Sequence, residues 1–219
     1  MSRLYGKQHR KLQAQFGTEK MADRIEELAC HTTFDEDAKG FIEQSEMFFL
    51  TTIDDKGRPT VSFKGGHAGF VKVLDEQTLL FPSYDGNGMF LSMGNITGNP
   101  QIGMLFISFE RPHRIRVQGT ASISQDPTLL AHYQEADFVV TVKLSELWQN
   151  CPRYIPQMQK IRTSRYIPSA ECETPLAEWK RVDLLQDVLV PADLAKAQSV
   201  GTIEIGEWIA KIQSGAPDA

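Results

Sequence analysis

The loop between residues 82 and 92 holds the residue types that bind anions through backbone and hydroxyl groups. It follows a short apolar run and contains Ser83, Gly86, Asn87, Gly88 and Ser92. A strand, a loop rich in Gly, Asn and Ser, and a short helix in that order present backbone N–H groups and small hydroxyls to a phosphate. Taken alone, the pattern is that of a plain surface connection between two strands, with a phosphate site as the alternative.

Other catalytic patterns do not occur in the sequence. It has no Ser-His-Asp arrangement, no metal-binding histidine pair and no Walker loop, and three histidines stand isolated at His67, His113 and His132. The cysteines follow no metal spacing and cannot all pair within one chain, which makes a reducing compartment the simpler assumption; they are Cys30, Cys151 and Cys172. We predict no metal site and a structural role for the Cys151 thiol.

Charge and hydropathy exclude several classes of protein. The 219 residues carry a formal net charge of −5, which argues against nucleic-acid binding as the main role. The first residues lack the apolar core of a signal peptide, and no apolar run approaches the about 18 residues of a membrane span. We therefore expect a cytoplasmic protein whose partners include neither nucleic acid nor a membrane.

The residues ahead of position 47 read as a polar arm and two helices. The arm covers residues 1–18, and the helices cover residues 19–29 and about 35–46. Met21, Ile25 and Leu28 recur at helical spacing, and Thr18 can cap the first helix. Short helices ahead of a β domain usually only pack against it, so we assign them no chemistry.

From residue 47 the apolar pattern changes to that of short strands joined mostly by tight turns. Strands are predicted at 47–53, 59–64, 68–74, 78–81, 102–109, 115–123 and 138–147, with one helix inserted after the fourth. Further helices are predicted at 126–135, 191–198 and 203–212. This spacing favours a closed or nearly closed antiparallel barrel of six to seven strands. We predict a mainly β chain of the α+β class, with a helical extension at 1–46, the barrel domain at 47–182 and a helical tail at 183–219.

Several runs of residues resemble the pyridoxamine 5′-phosphate oxidase-like family. The resemblance covers roughly residues 40–182 and rests on the order and spacing of five segments, which are Phe48 to Pro59, Leu79 to Pro82, Asn95 to Pro100, Arg114 to Gly119 and Asn150 to Ile155. The family implies an FMN-binding split β-barrel that dimerises, with the flavin in a cleft between the subunits. It also implies an FMN-dependent oxidoreductase that acts on a small organic molecule.

The resemblance implies a set of phosphate-binding residues. Lys64 stands where a basic residue ends the second strand, and Ser83 stands where the family supplies a hydroxyl. Leu91 and Ser92 replace the Arg-Lys pair of the oxidase, so we expect Asn87, Ser92 and exposed N–H groups to take over part of the phosphate binding. We also count Arg58 and Ser62, on the same hairpin as Lys64, among the predicted cofactor contacts.

The resemblance places two arginines and a tryptophan near the flavin ring. Arg114 corresponds to a polar residue that reaches the flavin of the neighbouring subunit, and Arg116 shares its strand face. A cation at the flavin N1–O2 edge would tune the reduced cofactor. Trp179 either closes over the cofactor or docks the tail on the barrel.

The sequence also departs from the oxidase that makes pyridoxal phosphate. The C-terminal Arg-x-His is missing, and the region that should hold the substrate-phosphate clamp of Tyr, Arg and Ser reads Trp148-Gln149-Asn150-Cys151-Pro152-Arg153-Tyr154. We therefore do not expect authentic pyridoxamine phosphate oxidase activity. The alternatives are a flavin- or haem-binding module with little turnover, or a family member that uses a deazaflavin or has an empty cleft. We expect an obligate homodimer in either case.

Overall fold

An antiparallel sheet of eight strands organises the N-terminal part of the chain in the computed structural model, which describes residues 2–218. The strands are β1 (Cys30–His31), β2 (Met47–Ile53), β3 (Pro59–Gly65), β4 (Lys72–Asp75), β5 (Thr78–Tyr84), β6 (Gln101–Ser108), β7 (His113–Ser124) and β8 (Ala136–Gln149). Their order is β3-β2-β6-β7-β8-β5-β4, and β1 pairs with β8. Because β3 and β4 remain at the edges, backbone pairing does not close the sheet, and the fold is a split barrel of the α+β class.

Helices precede and interrupt the strands of this sheet along the chain and make up much of the C-terminal part. They are α1 (Lys7–Phe16), α2 (Glu19–Ala29), α3 (Glu36–Gln44), α4 (Leu91–Gly98), α5 (Pro127–Leu130), α6 (Pro191–Val200) and α7 (Ile205–Ser214). Two 3₁₀ turns cover Glu178–Arg181 and Asp183–Leu185. The chain divides into two compact units, one ending at Gln159 and one starting at Lys160. The predicted division at residues 46 and 182 stays a prediction.

The core of the first unit lies on one face of the curled sheet. Along β2 buried and partly buried residues alternate, and the side chains of Phe48 and Leu50 are completely buried. The ring of Phe48 contacts those of Phe70, Phe81 and Phe106 at centroid distances of 5.1 to 5.8 Å. This aromatic cluster stabilises the region where β2, β5 and β6 approach one another, because large apolar side chains contribute most of the buried area.

Strand β7 shows the same alternation and fixes which side chains point outward. Ile115 and Val117 are buried, whereas Arg116 and Gln118 are exposed. At the bulge between Gln118 and Gly119, the backbone of β8 approaches so closely that a Cβ on Gly119 would collide with the carbonyl oxygen of Lys143. Glycine is therefore required at this position.

Most predicted elements are present, with four differences. The N-terminal arm contains a ten-residue helix, α1, for which no separate helix was predicted. The short strand β1 was missed, and the helix predicted at 126–135 is only four residues long. The strand predicted from residue 68 starts at Lys72, because Gly69 adopts a left-handed φ of 86° and turns the chain.

Two kinds of feature are absent from residues 2–218. None of the helices there combines the length and the apolar character needed to cross a lipid bilayer. In the same residues, no three His, Cys, Asp or Glu side chains are grouped so that they could hold a metal ion.

Candidate cofactor site

A polar patch on the core face of β3 lies against the first turn of α4. Thr60, Ser62 and Lys64 pair with Thr52, Leu50 and Phe48 of β2, and they therefore share the face that carries the core. The hydroxyl oxygens of Ser62 and Ser92 lie 3.1 Å apart, which places a hydrogen bond between β3 and α4. We call Ser62, Lys64, Ser92 and the first turn of α4 the β3–α4 cradle.

Lys64 is the cation of this cradle. Its side chain is partly buried, and within residues 2–218 its ammonium makes no hydrogen bond or ion pair. Burial lowers the pKa of Lys64 below its usual value because the charged form loses hydration. A partly dehydrated ammonium without a counter-ion is suited to an anionic ligand, which would replace the lost water.

The first turn of α4 adds backbone donors. The preceding residue, Phe90, adopts a left-handed conformation with φ of 46°, and no side chain caps the helix. The first N–H groups of a helix have no partner inside it, and the helix dipole makes its N-terminus favourable for anions. The cradle therefore combines a cation, two hydroxyls and uncapped backbone N–H groups.

A buried set of side-chain hydrogen bonds holds α4 in place. The amide of Asn95 donates to the hydroxyl oxygens of Thr52, at 3.0 Å, and Thr60, at 3.1 Å. Those two hydroxyls are themselves 2.8 Å apart, and Thr52 is only 1% exposed. The contacts tie α4 to both strands of the β2–β3 hairpin, so the Ser92 hydroxyl is positioned by a rigid support.

The other residues predicted for the phosphate are placed outside this contact. Ser83 lies near the end of β5, opposite Phe138, and within residues 2–218 it has no hydrogen bond to Ser62, Lys64 or Ser92. Asn87 is exposed, and its side-chain oxygen accepts from the backbone N–H of Met89 at 3.1 Å, as in a turn. Their cofactor roles stay predictions.

Arg58 and Trp179 are engaged elsewhere. The guanidinium of Arg58 binds the Asp54 carboxylate through two contacts of 2.7 Å and closes the β2–β3 turn. Trp179 belongs to the second unit, in the 3₁₀ turn, where the ammonium of Lys180 lies 5.7 Å from the centre of its ring. The cofactor roles of Arg58 and Trp179 stay predictions.

Arg114 and Arg116 lie on the opposite face of the sheet from the cradle. The register pairs Arg116 with Leu105, and Leu105 with Phe49, whose cross-strand partner is Phe63. These residues alternate with the core residues along each strand and so point away from the core. Within residues 2–218, Arg114 Nε is buried without a hydrogen-bond partner. One chain therefore does not bring its own arginines to its own cradle.

Sequence reasoning missed two features next to the predicted site. Asn95 belongs to one of the segments that resemble the family. Nothing in the sequence revealed its hydrogen bonds to Thr52 and Thr60, which lie 43 and 35 residues away. The second feature is a pair of tyrosines, Tyr84 and Tyr133. The pKa of Tyr133 is raised, first by burial and then by the neighbouring Tyr84, and its hydroxyl is buried without a partner within residues 2–218.

Comparison with known sequences gives one family. The sequence model of the pyridoxamine 5′-phosphate oxidase family matches residues 34–147, which are 114 of the 219 residues and therefore more than half of the chain. No curated protein matches the chain.

Solved structures with a similar fold come from several bacterial proteins. A putative pyridoxamine 5′-phosphate oxidase from Lactobacillus delbrueckii is 21% identical, with a TM-score of 0.45, and the match covers 54% of this chain and 95% of that one. HupZ of Group A Streptococcus is 17% identical, with a TM-score of 0.44 and coverage of 57% and 99%. The haem storage protein HutZ of Vibrio cholerae is 18% identical, with a TM-score of 0.38 and coverage of 52% and 94%. Scores of this size say nothing about activity.

Proposed function

Because the chain belongs to the pyridoxamine 5′-phosphate oxidase family, we propose that it is an FMN-dependent oxidoreductase that acts on a small organic molecule. The observation that carries the proposal is Lys64. Its ammonium is partly buried and unpaired within residues 2–218, and it lies on the same strand face as Ser62, whose hydroxyl contacts Ser92. An anionic group with several oxygens fits this arrangement.

The cradle would hold the FMN phosphate. Lys64 would neutralise part of its charge, and the hydroxyls of Ser62 and Ser92 would donate hydrogen bonds to its oxygens. The uncapped N–H groups at the start of α4 would add further donors. This set replaces the Arg-Lys pair of the oxidase with hydroxyl and backbone donors. When bound, FMN would supply hydride transfer to or from the organic substrate.

The same proposal includes a homodimer whose cofactor site is shared between chains. The outer face of β3, β2 and β6 is apolar and uncovered in the single chain, with Val61 68% and Phe63 60% exposed and Leu105 partly buried. A second copy packed on this face would remove these side chains from water, and an obligate interface would bury at least about 2,000 Å². It would also bring Arg114 of one chain to the flavin held by the other.

The cofactor test is the absorption spectrum of the protein as purified. We expect a yellow protein with a flavin band at about 450 nm, released as FMN on denaturation. A Soret band would instead indicate a haem-binding module, and a bound deazaflavin would indicate the other alternative. Photoreduction of the flavin followed by a screen of electron acceptors separates an enzyme from a binder. A protein that contains no flavin and takes up none from solution contradicts the proposal.

A further inference from the structure

A cavity lies on the outer face of the sheet, between the N-terminal helices and strands β7 and β8. Its volume is about 390 Å³, and its walls include Tyr5, His9, Glu26, Arg116, Trp148 and Asn150. The volume falls in the range of small-molecule sites. The cavity is separate from the β3–α4 cradle, because Arg116 points away from the core whereas Ser62 and Lys64 lie on the core face.

One wall of this cavity lies outside the segment that matches the family. Leu4, Tyr5 and His9 come from the N-terminal segment, and Ile25, Glu26 and Ala29 come from α2. All of them precede residue 34, where the match to the family begins. The site therefore does not follow from family membership.

The cavity has one free positive charge. Within residues 2–218, Arg116 makes no hydrogen bond or ion pair. The carboxylate of Glu26 also lines the cavity, but one of its oxygens already accepts from the backbone N–H groups of Arg3, at 2.6 Å, and Leu4, at 3.2 Å. The available guanidinium favours a carboxylate, which it can bind through two parallel hydrogen bonds.

His9 adds a hydrogen-bond donor, and a hydrogen bond from the backbone sets the tautomer of its imidazole ring. Its Nδ1 accepts from the N–H of Gly6 at 2.9 Å, so in the neutral ring the hydrogen lies on Nε2. The rings of His9 and Tyr5 make a T-shaped contact, with their centroids 6.4 Å apart. The hydroxyl of Tyr5 is already used, since it donates to the carbonyl oxygen of Ala22 at 3.2 Å.

Trp148 and Asn150 complete the recognition elements. Trp148 gives the cavity a flat aromatic wall that can stack on a planar ring. Asn150 Oδ1 is buried and accepts no hydrogen bond within residues 2–218. A buried acceptor without a partner costs free energy that a ligand with a donor group can recover.

We propose that this cavity binds a planar aromatic carboxylate that carries a hydrogen-bond donor, with the carboxylate on Arg116, the ring on Trp148 and the donor on Asn150. The site does not require bound FMN. It gives Arg116 a role in a site that its own chain forms, and it leaves Arg114 as the arginine that would reach the flavin of the other chain.

The probe is 4-hydroxybenzoate, titrated by calorimetry into the protein as purified. We expect saturable binding that Arg116→Met weakens ten- to hundredfold, the loss of one charge-assisted pair. Arg111→Met, which removes an exposed arginine that does not line the cavity, should leave binding unchanged. The neutral 4-hydroxybenzamide should bind more weakly than 4-hydroxybenzoate.

Two further variants separate this site from the flavin site and from a general loss of structure. Lys64→Ala should lower FMN content but leave 4-hydroxybenzoate binding unchanged. Asn150→Leu should remove the preference for 4-hydroxybenzoate over benzoate while benzoate still binds. No saturable binding up to about 10 mM, or equal binding by wild type and Arg116→Met, overturns the proposal.

Discussion

The hydroxyl oxygens of Ser62 and Ser92 lie 3.1 Å apart, although the two residues are 30 positions apart in the chain. The contact joins the edge strand β3 to the first turn of α4, and Lys64 lies two residues further along the same strand face. The geometry brings together three of the residues that were predicted for a phosphate and keeps the arginines of β7 on the other face.

Lys64→Met should weaken FMN binding and at the same time stabilise the protein without FMN. A charge-assisted hydrogen bond to phosphate contributes about 1.5–3 kcal/mol, so affinity should fall about ten- to hundredfold. The partly dehydrated ammonium destabilises the FMN-free fold, and methionine removes that cost. Fluorescence titration gives the affinity, and thermal melts of the FMN-free protein give the stability. Lys56→Met, in the exposed turn, is the control and should change neither.

The stabilising effect of Lys64→Met should depend on pH with a defined sign. Burial lowers the pKa of Lys64 in the fold relative to the unfolded chain. Between the folded and the unfolded pKa, the folded protein therefore binds fewer protons at Lys64 than the unfolded chain does. The free-energy cost of burying the charged ammonium is fully present below the folded pKa and is lost as pH rises towards the unfolded value of about 10.4. The advantage of the variant at pH about 7 should shrink as pH is raised through this interval. A constant advantage would show that the ammonium is not the cause.

Ser62→Ala and Ser92→Ala should each weaken FMN binding, and their effects on stability should not add. One hydrogen bond contributes about 0.5–1.5 kcal/mol, and either substitution alone removes it. The double variant should therefore be more stable than the sum of single effects predicts, by about that amount. Urea unfolding of the four proteins measures the coupling. Ser122→Ala, an exposed serine on β7, is the control; simple additivity would mean that the two hydroxyls do not bond in solution.

Asn95→Ala should destabilise the protein and loosen α4. The substitution removes two donors and leaves the buried Thr52 hydroxyl with fewer partners, which costs about 1–3 kcal/mol. Since α4 carries Ser92, FMN affinity should fall as well. Urea unfolding and hydrogen exchange of the α4 amides are the measurements. Thr97→Ala, which removes an exposed hydroxyl bonded only within α4, should leave FMN affinity unchanged.

Mixed dimers of Lys64→Ala and Arg114→Ala chains should recover part of the FMN binding. In one chain these residues lie on opposite faces of the sheet, so a shared site requires one residue from each chain. A heterodimer then has one site with both defects and one with neither, and about half of its sites should bind FMN normally. Light scattering verifies the dimer. A monomer that binds FMN tightly, or heterodimers without recovery, would contradict the shared site.

Cys151→Ser should leave FMN content and flavin reduction unchanged. The side chain is exposed, and within residues 2–218 its sulfur accepts only a long contact from the backbone N–H of Arg153 at 3.4 Å. No base that could activate the thiol was identified in the sequence around it. Anaerobic photoreduction of the variant and the wild type measures the effect. Loss of reduction with the fold and FMN content intact would show that the thiol takes part in the chemistry.

The sequence alone determined the strands of the barrel and the positions of most site candidates. Alternating apolar residues and turn signals placed β2, β3, β6 and β7 nearly at their observed bounds, because a half-buried strand imposes a period of two on its own residues. The same period placed Arg114 and Arg116 on one strand face. The helix predicted at about 35–46 is also present as α3, and Asp35 caps it as local hydrogen bonding requires.

Only the tertiary structure decided which candidates meet. The contact of Ser62 with Ser92 and the anchoring of Asn95 depend on how α4 packs on the β2–β3 hairpin, and no local pattern encodes such distant pairs. For the N-terminal helices, the sequence predicted the helices but not the cavity to which they contribute. Their apolar spacing predicted helices that merely pack, yet the structure leaves Met21 and Leu28 exposed. Ile25 of α2 and residues of the N-terminal segment, to which no chemistry was assigned, form a cavity with Arg116. A helical period specifies which residues share a face, whereas packing against the rest of the chain decides what that face covers.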